Sequence, residues 1–160
     1  IPSRLVGSEM CIRDSIGAML IAFISILSMI NFTLEHFLNI NLQEILGMIF
    51  SPLAWTMGIP WKEANIVGRL MGEKIVLTEL IAYGSLGDLI NNNLISERSA
   101  IISSYALCGF ANFGSIGIQL GGIGAMAPEK RNILSKIVLK AMVGGALASW
   151  LTATIAGILI

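Results

Sequence analysis

An uncharged stretch from Ile101 to Pro128 constrains the fold more than any other feature of the sequence. It contains 28 residues, whereas one straight helix needs only about 20 to cross a bilayer. Charged residues make up 12% of the chain and hydrophobic residues 55%, so charges are too few to cover a water-exposed surface. The sequence therefore predicts an all-α, multi-pass membrane protein in contact with the lipid bilayer.

Charge, cysteine and histidine content argue against several kinds of function. The formal net charge is zero and no basic run is present, so nucleic acid is not an expected partner. Cys11 and Cys108 are far apart and form no disulfide or metal-binding pattern. His36 is the single histidine, which removes most hydrolytic and metal-site designs. We expect a protein that is not an enzyme and needs no cofactor.

The first 15 residues, IPSRLVGSEMCIRDS, are polar and aperiodic and differ from all that follows. They lack the charged start, apolar centre and small-residue cleavage site of a signal peptide. Two origins fit residues 1–15: a genuine polar loop, or adapter DNA translated at the edge of a gene fragment. The second is favoured because VGSEMCIRDS resembles translated sequencing-adapter DNA, and no function is assigned to this tract.

Residues 16–34 and 132–160 are each apolar and long enough to form a transmembrane helix. Four basic residues surround the start of the second helix: Lys130, Arg131, Lys136 and Lys140. Basic loops between spans stay on the cytoplasmic side, so this cluster is predicted to be cytoplasmic and the C-terminus to lie outside.

Residues 42–61 are predicted to form an interfacial helix rather than a span. Pro52 and Pro60 interrupt helical hydrogen bonding in this segment. Trp55 and Trp61 favour the boundary between membrane and water.

Residues 62–95 consist of two arms, each too short to cross a bilayer alone. The second arm begins at Glu79 and leads to the polar run Asn91–Asn93. Such arms predict a re-entrant helical hairpin that enters and leaves on the same face. Non-helical backbone at membrane depth survives only when it is buried in protein or lines a water-filled cavity.

Glu79 is the most informative single residue, because it lies in the apolar stretch IVLTELIAY. An acid inside a membrane is costly unless it is paired or hydrated, so it is a candidate functional group. An ionised carboxylate accepts two hydrogen bonds side by side, which suits the vicinal hydroxyls of a sugar. The alternative is a structural ion pair with Lys74 or Arg69.

Glycine weakens the long uncharged run, and residues 98–128 are predicted to form a broken, partly unwound helix. Unwinding near GFANFGS would direct Asn112 and Ser115 into one cavity, as in transporters with midplane sites. An interhelical hydrogen bond is the alternative role for Asn112. Farther along, Gly117 and Gly121 have the GxxxG spacing that allows helices to pack closely.

Two motifs resemble those of the concentrative nucleoside transporters, the nucleoside:cation symporter family. GEKIVLTELIAY, residues 72–83, is similar to G-x-K-x-x-x-N-E-F-V-A-Y, and CGFANFGSIGIQLGGIGAMAPEKR, residues 108–131, is similar to the GFAN segment. The resemblance covers residues 16–160 and the C-terminal half of the membrane domain. It implies a homotrimer in the inner cell membrane that takes up nucleosides, driven by a sodium or proton gradient.

The resemblance also implies roles for individual residues. Residues 16–34 would be the scaffold helix of the trimer. Three residues would bind the ribose and a fourth would pack near the base: Glu79, Asn112, Ser115 and Phe110. Three would support them: Thr78, Gly109 and Gly114. Thr78 stands where the family has asparagine, so a hydroxyl is kept and an amide is lost; Leu80 replaces a phenylalanine.

The first hairpin, the first broken helix and most cation ligands of the family have no counterpart in this sequence. The chain is therefore expected to be a truncated fragment that supplies the ribose half of the site and does not transport by itself. The alternative is a membrane packing or assembly module without a substrate, in which Glu79 pairs with a basic neighbour. Convergence of Glu79, Asn112 and Ser115 on one cavity would favour the transporter.

Overall fold

A computed structural model describes the backbone of residues 2–160 and the side chains of residues 13–160. Within that part of the chain all regular structure is helical, as the sequence predicts. The α-helices follow in this order: α1 Pro2–Leu38, α2 Leu42–Thr56, α3 Trp61–Val76, α4 Glu79–Asn91, α5 Glu97–Leu107, α6 Phe113–Met126 and α7 Arg131–Leu159. A short 3₁₀ helix, Pro128–Lys130, leads into α7.

Two stretches are long and apolar enough to cross a membrane, Arg13–Leu38 in α1 and Pro128–Leu159 in α7. They contain the span predicted at residues 16–34 and all but the last residue of the span predicted at 132–160. The α1 helix begins at Pro2, so the backbone of the polar N-terminal tract continues the helix. Ile1 and the side chains of residues 2–12 lie outside the described part, and the origin of this tract stays an open prediction.

Helices α2 and α3 pack closely because glycines line their contact. A Cβ atom added to Gly47 would lie 2.6 Å from Cγ of Arg69, and one added to Gly72 would lie 2.9 Å from Cβ of Leu46. The helix predicted over residues 42–61 ends at Thr56, and Trp61 begins α3. Pro52 is accommodated inside α2, whereas Pro60 is the N-cap of the next helix.

Helices α3 and α4 are the two arms of the predicted hairpin, joined by Leu77 and Thr78. The hydroxyl oxygen of Thr78 accepts a 3.4 Å hydrogen bond from the amide of Ile81 and caps α4. Glu79 is the first residue of α4. The polar run Asn91–Asn93 lies at the opposite end of that helix.

Helices α5 and α6 occupy the segment predicted as a broken helix, and residues 108–112 separate them. α5 packs on α7, and α6 packs on both α1 and α7. A Cβ at Gly117 would lie 3.3 Å from the carbonyl oxygen of Met19, and one at Gly121 would lie 2.9 Å from that of Ser15. Close packing is therefore confirmed for the GxxxG pair, and its partner is α1.

A buried apolar cluster joins α2, α3, α5 and α7; its fully buried members include Ala54, Val67, Met71, Ile102, Ala106 and Ala153. A smaller cluster connects the hairpin to α5 through Leu70, Ala82, Leu86 and Leu107. These contacts fix the hairpin turn beside the segment that separates α5 from α6.

Candidate functional site

A hydrogen bond links the start of α4, just after the hairpin turn, to the gap between α5 and α6, residues 108–112. The amide nitrogen of Asn112 donates to Oε2 of Glu79 over 2.8 Å. Each residue stands at the beginning of a helix, since Glu79 is the first residue of α4 and Asn112 is the N-cap of α6. The two residues are 33 positions apart in the sequence, so tertiary packing brings them together.

Ser115 extends this contact into a three-residue chain. Oδ1 of Asn112 accepts hydrogen bonds from the backbone amide of Ser115 at 2.7 Å and from its hydroxyl at 2.9 Å. Asn112 is 3% exposed and Ser115 is buried. Because capping of α6 holds the amide oxygen, the amide nitrogen must face Glu79.

The three side chains keep hydrogen-bonding capacity that the protein does not use. A carboxylate has about four acceptor positions and an amide nitrogen has two hydrogens. The described hydrogen bonds occupy one position on Glu79 and one hydrogen on Asn112. The hydroxyl oxygen of Ser115 also retains acceptor capacity. A ligand with adjacent hydroxyls could therefore donate to the carboxylate and accept from the amide.

Phe110 lies in the same gap, and 76% of its surface is exposed. It lines a cavity of about 260 Å³ together with Ser115 and Gln119 from α6 and residues of α7. Glu79 and Asn112 are not part of that lining, although Asn112 is bonded to Ser115. A larger cavity, about 460 Å³, lies among α2, α3 and α4 and contains none of the predicted site residues.

Two glycines allow the gap to adopt its shape. Gly109 has a φ of +111°, which L side chains rarely adopt, and a Cβ there would lie 2.9 Å from the hydroxyl oxygen of Ser149. A Cβ at Gly114 would lie 3.2 Å from Oδ1 of Asn112 and would crowd the capping interaction. Both glycines therefore lie where a supporting role was predicted.

The alternative ion pair of Glu79 is not present among the described side chains. Lys74 donates instead to the backbone carbonyls of Ala106 at 3.0 Å and Cys108 at 3.4 Å. Arg69 faces Glu44, with 3.7 Å between the charged atoms. Both cations have other partners, which leaves Glu79 bonded to Asn112.

Two residues of the hairpin have contacts that the sequence did not indicate. The sequence suggested Lys74 only as a possible ion-pair partner of Glu79. It assigned no separate role to Tyr83, the last residue of a motif. The hydroxyl of Tyr83 donates to the carbonyl oxygen of Ser104 over 2.6 Å. Both residues belong to the motif GEKIVLTELIAY, and this motif is the sequence feature that could have drawn attention to them.

Comparison with known proteins identifies the family. The model of the Na⁺-dependent nucleoside transporter C-terminus matches residues 5–157. The chain belongs to this family. It is 39% identical over 157 residues to the nucleoside permease NupC of Helicobacter pylori and 43% identical over 152 residues to the uncharacterized transporter YutK of Bacillus subtilis. These alignments cover 91% of the chain.

Solved structures support the same assignment. A variant of the transporter CNTnw in an outward-facing state superimposes with a TM-score of 0.88 and 38% sequence identity, covering 95% of this chain and 40% of that one. The chain spans about 37% of the length of the two curated relatives. Its relatives are transporters, so the prediction that the chain is not an enzyme is confirmed.

Proposed function

We propose that this chain is the C-terminal part of a transporter that takes up nucleosides across the inner cell membrane, coupled to a sodium or proton gradient. In this proposal the complete protein is a homotrimer and crosses the membrane several times. This C-terminal part supplies the side chains that bind the ribose. The family assignment supports nucleosides as the substrate class.

The observation that carries the proposal is the hydrogen-bonded chain of Glu79, Asn112 and Ser115. A packing module would need none of the free acceptors on Glu79, and this side chain is only part-buried, so a ligand can reach it. A ribose offers adjacent hydroxyls that each donate one hydrogen bond and accept others. The carboxylate would take the donated hydrogens, while the amide of Asn112 would donate to a ribose oxygen.

The base would lie on the Phe110 side of the site. An exposed aromatic ring next to a polar cluster offers a flat apolar surface on which a nucleobase can stack. The cavity beside Phe110 contains Gln119, whose amide can donate and accept hydrogen bonds. A pocket with an apolar wall and a few converging polar groups is the usual form of a small-molecule site.

Glu79→Gln in the full-length transporter tests the proposal. Gln keeps the size of the side chain but loses the charge and half of the acceptor capacity, so uridine uptake should fall by about tenfold or more. Uptake of labelled uridine is measured against the amount of transporter in the membrane. Glu129→Gln is the matched control, because Glu129 is exposed in the 3₁₀ helix before α7.

Uptake by Glu79→Gln within about a factor of two of the wild type would contradict the assignment of Glu79. Loss of uptake that merely follows loss of protein from the membrane would favour a structural role instead. A wild-type protein that takes up no nucleoside would refute the substrate class.

A further inference from the structure

The C-terminal end of α5 needs hydrogen-bond donors from elsewhere in the protein. The last four carbonyls of a helix have no partner within that helix, and in α5 they belong to Ser104, Tyr105, Ala106 and Leu107. The backbone amide of Cys108 donates a hydrogen bond to the carbonyl oxygen of Tyr105 over 3.2 Å. The chain then leaves the helix, so other carbonyls at this end must be satisfied by other parts of the structure.

Those donors come from the hairpin. The ammonium of Lys74 donates to the carbonyl oxygens of Ala106 and Cys108, at 3.0 Å and 3.4 Å. The hydroxyl of Tyr83 donates to that of Ser104 at 2.6 Å. Lys74 is 1% exposed, so a buried cation is held against backbone oxygens rather than against a carboxylate.

This arrangement has a favourable electrostatic basis. Lys74 lies in the last turn of α3, and its ammonium reaches the end of α5. The C-terminal ends of helices carry partial negative charge, so two such ends stabilise the cation. Glu79 lies instead at the start of α4 and is bonded to the N-cap of α6, where partial positive charge favours an anion.

We propose that Lys74, assisted by Tyr83, is a positioning residue for substrate binding, and this rests on the proposed function. By satisfying the end of α5, the two residues hold residues 108–112 in the non-helical course that places Asn112 against Glu79. The hairpin thereby fixes both sides of the gap. Lys74 itself does not touch the nucleoside.

Hydrogen–deuterium exchange in the purified full-length transporter tests this role directly. In Lys74→Met, amides of residues 108–115 should exchange about five times faster or more, since the carbonyls of Ala106 and Cys108 lose their donor. The KM for uridine uptake should rise by a similar factor of about five, with a smaller change in the maximal rate per molecule. Lys74→Arg keeps a cationic donor and should restore part of both values.

Lys62→Met is the matched control, because Lys62 is an exposed residue in the first turn of the same helix. If Lys74→Met does not accumulate in the membrane, Tyr83→Phe provides the test of the proposal instead. It removes one hydroxyl, and exchange near Ser104 and across residues 108–112 should rise about twofold or more.

Unchanged exchange in the gap and an unchanged KM in either accumulating variant would overturn the proposal. Exchange that rises evenly over all helices, with KM preserved, would also overturn it, because that is the behaviour of a residue needed only for stability. The exchange measurement does not depend on transport. Failure of the wild type to take up any nucleoside would therefore refute the proposed function separately.

Discussion

Asn112 performs two tasks that substitution can separate. Its Oδ1 caps α6 by accepting from Ser115, while its Nδ2 donates to Glu79. Asn112→Ala removes both interactions. Asn112→Ser keeps a good capping residue, but its shorter side chain cannot reach Glu79. Comparing the two variants isolates the contact with Glu79 from the stability of the helix.

The expected magnitudes follow from the kind of interaction lost. Loss of an N-cap side chain costs about 1 kcal/mol, so Asn112→Ala should be less stable than Asn112→Ser by about that amount. Hydrogen bonds to charged groups contribute about 1.5–3 kcal/mol, which corresponds to roughly a 10- to 150-fold loss of uptake efficiency in both variants. Asn112 is nearly fully buried, and solvent can replace little of what is lost.

The assay combines uridine uptake in membrane vesicles with thermal unfolding of the detergent-purified full-length transporter. Asn112→Ser should unfold at a higher temperature than Asn112→Ala and yet transport as poorly. If Asn112→Ser transports within about threefold of the wild type, the contact with Glu79 is not needed for substrate binding. If the serine variant unfolds as early as the alanine variant, capping of α6 is not what Asn112 contributes to stability.

Two further outcomes are expected. Gly109→Ala should destabilise the transporter by about 1–2 kcal/mol in thermal unfolding, because of its positive φ and the nearby hydroxyl of Ser149; Gly144→Ala, where a Cβ meets no atom within 4 Å, should not destabilise it. Ser115→Ala should reduce uptake of uridine by about fivefold more than uptake of 2′,3′-dideoxyuridine, because only uridine has the ribose hydroxyls that Ser115 is proposed to bind. Equal losses for both substrates would assign Ser115 to capping with Asn112 instead.

The sequence was most informative where a polar residue interrupts an apolar segment. Glu79 and Asn112 stand out for this reason, and the structure brings them within hydrogen-bonding distance. The long uncharged run predicted a gap near GFANFGS, and α5 and α6 are separated at that place. Both inferences use local contrast between a side chain and its surroundings, which can be recognised without knowledge of the fold.

Contacts from a side chain to distant backbone carbonyls could not be predicted in this way. Lys74 binds carbonyls 32 and 34 positions farther along the chain, and any residue type can offer a carbonyl. Helix boundaries were also uncertain near proline, because Pro52 lies inside α2 whereas Pro60 precedes α3. Proline is compatible with both places, and tertiary packing decides between them.

The hydrogen bonds from Ser115 through Asn112 to Glu79 all point the same way, with each donor directed toward the carboxylate. This series of hydrogen bonds ends at the carboxylate of Glu79, whose oxygens keep free lone pairs and therefore need donors. If Glu79 binds the ribose as proposed, the site should distinguish molecules by the direction of their hydroxyl hydrogens as well as by shape. A methyl ether at the same ribose position would carry oxygen but no hydrogen to give, and it would leave the carboxylate dehydrated without compensation.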